Sequence, residues 1–140
     1  MEKALSSLPA NEIEAYEQIM TRIRESKSHT SGTAIRTITW IFHAARLLRM
    51  DELLEALSVE EQLGGNGGDL KFVSSDIIEM CHSLVVHDGF SGTVRFIHFT
   101  VQQYLGLYKF PVINIAKTCL AYLEYDAFND ICSDYKSMEP

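Results

Sequence analysis

Hydrophobic and polar positions follow two rhythms along this chain, and the change from one to the other predicts its elements. Ile13, Tyr16, Ile19, Met20 and Ile23 recur three and four apart, the spacing of one helix face, so a helix is expected from about 10 to 26. Pro9 suits its first turn, where a missing N–H is harmless. Polar Ser26-Lys27-Ser28-His29 and a loop through Ser31-Gly32 lead to a second helix over about 33–48. Ile35, Ile38, Trp40, Ile41, Phe42, Ala45 and Leu48 make it apolar around much of its girth, which predicts a central place. A short third helix is expected over about Asp51–Ser58, with Leu53, Leu54 and Leu57 inward. Asp76 can cap a fourth, burying Ile77, Ile78, Cys81 and Leu84.

The rhythm then shortens. Leu84-Val85-Val86-His87 and Thr93-Val94-Arg95-Phe96-Ile97-His98 flank Asp88-Gly89-Phe90-Ser91-Gly92, two β-prone runs around a glycine turn, and they predict a hairpin. Arg95, Ile97 and Phe99 alternate with Phe96 and His98, a strand that ends on histidine. Thr100 stands where an N-cap belongs, and Gln103 three residues on completes a capping-box pattern. Val101, Tyr104, Leu105 and Tyr108 then form a helical face that should stop near Pro111. A last helix is expected over about 112–124 with Ile113, Ala116, Leu120 and Leu123. His98 is thereby placed beside a helix N-terminus, a setting that favours anions.

Three short helices followed by a two-stranded wing is the winged-helix layout, here mainly α and with flanking helices at both ends. The 140 residues suit one domain with a real core, predicted over 9–126, with a linker at 1–8 and a tail or linker at 127–140. Those ends suggest a piece of a longer protein. Net charge is −7 and no basic cluster exceeds a dipeptide, which argues against nucleic acid and against a basic membrane-surface helix. No apolar run reaches the roughly 20 residues that span a bilayer, and the first residues lack a signal-peptide layout. Cys81, Cys119 and Cys132 are an odd number without a CxxC pair, so a reduced, cytoplasmic setting is expected. The helix ahead of the wing would enter the major groove in a DNA-binding relative. It carries Asp76 and Glu79 without Lys or Arg, so protein contacts are the expected use.

With these residues in view, the chain resembles the winged-helix domain that follows the nucleotide-binding module in fungal NACHT-type signalling ATPases. These belong to the STAND class of switch proteins, and the same domain type is often labelled after GPI inositol-deacylase. The resemblance covers roughly residues 9–126. It is carried by Tyr16 and Ile19–Ile23, by Ile38–Trp40 with Ala44-Ala45-Arg46, and by Met50-Asp51-Glu52-Leu53 with Ala56-Leu57. Asp76-Ile77-Ile78, Cys81 and Leu84 follow, and the strongest stretch is Val94–Val101 with Tyr104-Leu105. Leu47 and Arg49 replace an expected Pro and Thr ahead of the third helix, which removes a good N-cap. His82 replaces a small residue, and Gln103 an acid. The resemblance implies a regulatory domain in which the winged-helix histidine, His98 by motif position, touches the β-phosphate of ADP held by the adjacent NACHT module. Exchange of ADP for ATP would remove that contact, let the domain swing, and allow homo-oligomer assembly. Further implied partners are downstream repeats.

The residues themselves leave simpler alternatives open. His98 can equally be a histidine that anchors the hairpin to the next helix, Thr100 only a cap, and Arg95 a solvated strand residue. Cys81, His82, His87 and Cys119 are zinc-ligand types without finger-like spacing, so no metal site is expected. Gly64-Gly65-Asn66-Gly67-Gly68 lacks the Lys-Ser/Thr of a phosphate loop. Gly89-Phe90-Ser91-Gly92 is one residue short of a nucleophile elbow, so neither nucleotide hydrolysis nor deacylation is expected, and no catalytic residue is assigned. The alternative to the regulatory domain is a free-standing helical adaptor that binds a protein partner.

Overall fold

The structure, a computed structural model, describes residues 9–64, 72–107 and 112–124. The linker expected at 1–8, most of the glycine-rich loop, the helix stop near Pro111 and the tail at 127–140 lie outside these residues. Six helices and three short strands are described, in the order α1 (Ala10–Glu25), α2 (Ser28–His43), β1 (Leu48–Arg49), α3 (Met50–Leu63), α4 (Ser74–Met80), β2 (Val85–His87), β3 (Thr93–Phe96), α5 (Phe99–Leu105) and α6 (Val112–Leu123). The fold is mainly helical with a winged sheet, as the pattern predicts. The sheet has one strand more than the hairpin alone.

That extra strand corrects the second helix. A helix over about 33–48 is expected because the apolar positions run on through Ala45 and Leu48, and residues 44–48 are also good helix formers. The helix instead starts at Ser28 and ends at His43, and Ala44 turns extended, with φ −64° and ψ 132°. Leu48 and Arg49 then pair antiparallel with Val94 and Thr93. The free edge of β3 offers backbone partners that a continued helix could not satisfy, and tertiary pairing overrides local propensity. At the other end, the expected loop at Ser31-Gly32 is the first part of α2. The Thr33 hydroxyl donates to the His29 carbonyl at 3.0 Å, and Arg36 Nε reaches the Gly32 carbonyl at 3.3 Å. Only Ser26 and Lys27 link α1 to α2. Pro9 is the N-cap of α1 rather than part of its first turn.

β3 is central, in the order β1-β3-β2, with Val85 opposite Phe96 and His87 opposite Val94. Val85, Val94 and Phe96 face a core shared with Met20 and Ile23 of α1, Ala34 and Ile38 of α2, Leu53 and Leu57 of α3, and Ile77 of α4. Val101, Tyr104 and Leu105 of α5 close it. Ile23, Leu53, Leu57 and Ile77 are wholly buried, each contributing about 1.5–3 kcal/mol over an exposed side chain. The amphipathic face of α2 is widened by Thr33 and Thr37, both fully buried. The Thr37 hydroxyl donates to the Thr33 carbonyl at 2.9 Å, so its burial leaves no unmade hydrogen bond. α3 runs beyond the expected Ser58 to Leu63, and in that added part buried Glu61 is matched by Arg36 Nη2 at 2.8 Å.

Two termini show how polar chemistry sets direction. The N-cap of α3 is Arg49, whose side chain accepts nothing, yet the Glu52 carboxylate accepts the Arg49 N–H at 2.9 Å. The Arg46 guanidinium grips the same carboxylate at 2.7 and 3.0 Å. Chiefly through that Arg46 bond, with the Arg49 amide adding, the Glu52 carboxyl is lowered to about 2. In the wing, Asp88 accepts the Phe90 N–H and the Ser91 hydroxyl, each at 2.9 Å. Gly92 is left-handed at φ 72°, and its carbonyl accepts the Met50 N–H at 2.9 Å.

Two measurements check these elements. Gly92→Ala should lower unfolding free energy by about 1 kcal/mol, because a Cβ there meets open space and only the left-handed backbone opposes it. Gly89→Ala, also open, should change stability by under about 0.5 kcal/mol. Glu52 lies below its ordinary value when folded, so its stabilisation is complete above about pH 4 and is lost as pH falls toward about 2. The melting-temperature gap between wild type and Glu52→Gln should therefore be full at pH 7 and close across that window.

Candidate functional site

β3 delivers the site. Val94 and Phe96 are buried and Arg95 is exposed, and the ladder to β2 ends at Phe96. One further bond, from the Ile97 N–H to the Leu84 carbonyl at 2.9 Å, carries the chain off the sheet. Ile97, His98 and Phe99 are then all exposed. The alternation expected through Phe99 thus stops at Phe96, because the backbone bends at Ile97-His98 to enter α5.

The cap of α5 is His98, not Thr100. His98 is extended, with φ −148° and ψ 149°, and its Nδ1 accepts the Thr100 N–H at 3.3 Å. An imidazole nitrogen two bonds from Cβ reaches the place that an Asp or Asn side-chain oxygen takes at an ordinary N-cap. Thr100 is the second helical residue and is 8% exposed, so the capping box with Gln103 does not form. Its hydroxyl is engaged elsewhere, 2.9 Å from His98 Nδ1 and 2.6 Å from the Tyr16 hydroxyl of α1. The expected anion setting changes accordingly. α5 has only seven residues and its Thr100 amide is already taken by His98, so the ring and not the helix end is the group free to meet a ligand.

Around His98 the surface is apolar with a basic margin. Phe99 packs its ring 4.5 Å from the imidazole yet stays 67% exposed, and Ile97 and Leu47 are about half exposed. A groove of about 410 Å³ runs beside them, floored by Ile41, Ala44 and Leu48 and edged by Arg95, Phe99 and Gln102. Among the described residues Arg95 donates to the Phe96 carbonyl alone, at 3.4 Å, whereas Arg46 is committed to Glu52. Tyr16 was legible only as an apolar helix position. Its contact spans 84 residues of chain, and nothing local signals it.

The other candidate residues are not brought together. Cys81 is wholly buried in the core and Cys119 is exposed on α6. His82 sits in the turn after α4 with φ 47°. Among the described residues no three His, Cys, Asp or Glu side chains converge on a metal-sized space. Ser91 serves the wing turn: its hydroxyl donates to Asp88 Oδ2 at 2.9 Å and lies 2.7 Å from the Thr93 hydroxyl. A second groove, about 780 Å³, lies between α3 and α6, lined by Trp40, Glu55, Ala56, Val59, Thr118 and Tyr122.

A three-stranded wing behind a helical core that leads into a capped α5 defines a winged-helix domain. The chain belongs to the winged helix domain family of GPI inositol-deacylase, whose model matches residues 17–108. No curated protein and no solved structure matches it. The match begins at residue 17, within α1 and just past Tyr16, and includes His98 and all of α5. A winged helix domain is generally a non-catalytic domain, and among the described residues no helix is long and apolar enough to cross a membrane.

Burial alone raises the Cys81 thiol to about 12. In a Cys132→Ser background, a thiol reagent at pH 8 should therefore label one cysteine, Cys119, in the folded protein and two after unfolding. Rapid labelling of Cys81 without unfolding would contradict its place in the core.

Proposed function

We propose that the chain is a regulatory, non-catalytic domain of a NACHT-type STAND signalling ATPase, coupling the nucleotide state of an adjacent module to opening and oligomerisation. The observation that carries this is the presentation of His98. Its ring is held on one nitrogen by Thr100 and is otherwise exposed, amid Ile97, Phe99 and Leu47, apolar groups that a partner would cover. ADP would be held by the adjacent module, and His98 would add one donor to a phosphate oxygen. The groove edged by Arg95 and Phe99 would lie against that module in the closed form. With ATP bound, loss of the contact would release the domain as a rigid body.

DNA binding fits this surface poorly. α4, the helix ahead of the wing, exposes Asp76 and Glu79 and carries no Lys or Arg, and a phosphate backbone would be repelled. A cytoplasmic setting agrees with the absence of a membrane-spanning helix among the described residues. One observation favours the adaptor alternative: Leu120 and Leu123 of α6 are 64% and 63% exposed beside the larger groove, a surface suited to a protein partner away from His98.

Calorimetric titration of ADP into the full-length protein tests the proposal. His98→Ala should weaken ADP binding by about ten- to a hundredfold, the worth of one hydrogen bond to a charged group, and raise the oligomeric fraction. Equal ADP affinity with an unchanged monomer population would remove the sensor role and leave the adaptor.

A further inference from the structure

We infer that Tyr16 and Thr100 are positioning residues: they form a one-way hydrogen-bond chain that holds the His98 ring with its proton on Nε2, facing outward as a donor. This rests on the sensor role proposed for His98. The direction follows from the groups present. A backbone amide can only donate, so the Thr100 N–H at 3.3 Å requires a lone pair on His98 Nδ1. The Thr100 hydroxyl, 2.9 Å from the same nitrogen, must then donate to it as well. With its one proton so used, that oxygen can only accept from the Tyr16 hydroxyl, 2.6 Å away. The chain therefore runs from Tyr16 through Thr100 to His98. The neutral ring keeps its proton on Nε2, and Nε2 has no partner among the described residues.

Both supports are packed against neighbours. Thr100 is buried, and the Tyr16 ring rests 5.4 Å from that of Tyr104, itself 1% exposed. Tyr16 stands in the middle of α1, so the chain also links the position of the first helix to the ring of the sensor. A phosphate oxygen accepts and cannot donate. A ring fixed as a donor toward it needs no reorientation on binding, whereas a ring with the opposite tautomer would present a lone pair and repel it.

The test is the long-range nitrogen–proton spectrum of the His98 ring in the 140-residue chain, assigned with His98→Gln. Wild type should show Nε2 protonated and Nδ1 bare. Thr100→Val should raise the Nδ1-protonated population about five-fold, the scale of one net hydrogen bond. Tyr16→Phe should move it in the same direction by less, and Thr100→Ser should restore the wild-type spectrum. An unchanged tautomer in both Thr100→Val and Tyr16→Phe, with the melting temperature retained, overturns the positioning role while the sensor role still stands on His98→Ala. In the full-length protein, ADP affinity should fall in the order Tyr16→Phe, Thr100→Val, His98→Ala. Loss at His98→Ala alone also overturns the positioning role. Unchanged affinity in His98→Ala removes the sensor role instead, and the spectrum then decides the hydrogen-bond chain on its own.

Discussion

The middle place of β3 is the constraint on which the rest of this domain depends. A four-residue strand with partners on both edges joins the segment after α2 to the segment after α4. Its two inward side chains, Val94 and Phe96, anchor the helices against the sheet. Were β3 an edge strand, residues 44–49 would have no backbone partner and their helix-forming character would prevail. Because it is central, α2 ends early, β1 forms, and α3 starts from Arg49 with Glu52 capping it from within. The end of β3 also fixes where His98 emerges. The wing and the candidate site are thus consequences of one pairing.

Several of the buried polar groups here are completed by the geometry. The threonines of α2 bond back to the preceding turn, and Glu61 is met by Arg36. Thr100 is the instructive case. A buried hydroxyl with two partners has no freedom left in its proton, and that is what turns a packing contact between α1 and α5 into control over the chemistry of an exposed ring. Burial also keeps the Cys81 thiol protonated, since it disfavours the thiolate.

The surface divides accordingly. The helix that a DNA-binding winged helix would insert into a groove exposes Asp76 and Glu79, while Leu47, Ile97 and Phe99 are exposed at the foot of the wing and Leu120 and Leu123 on α6. Membership of the winged helix domain family places this chain among domains that are generally non-catalytic, and the turn that superficially resembles a nucleophile elbow is occupied with holding the wing together.

Helical periodicity over α1, α3 and α6, the glycine turn between β2 and β3, and the strand-to-helix junction at His98 were all legible in the chain, because each rests on interactions within a dozen residues. The position of His98 at that junction was legible for the same reason. Its role as cap was not, since Thr100 followed by Gln103 satisfies every local rule for capping and only the Tyr16 hydroxyl, 84 residues away, draws Thr100 inward and hands the cap to the histidine. β1 was equally hidden, for Leu48 and Arg49 carry no strand signal of their own. Local sequence determined which segments could form helices and turns. Contacts between distant segments decided where α2 ends, which residue caps α5 and how the His98 ring is held, because those choices turn on backbone and hydroxyl partners that only folding supplies.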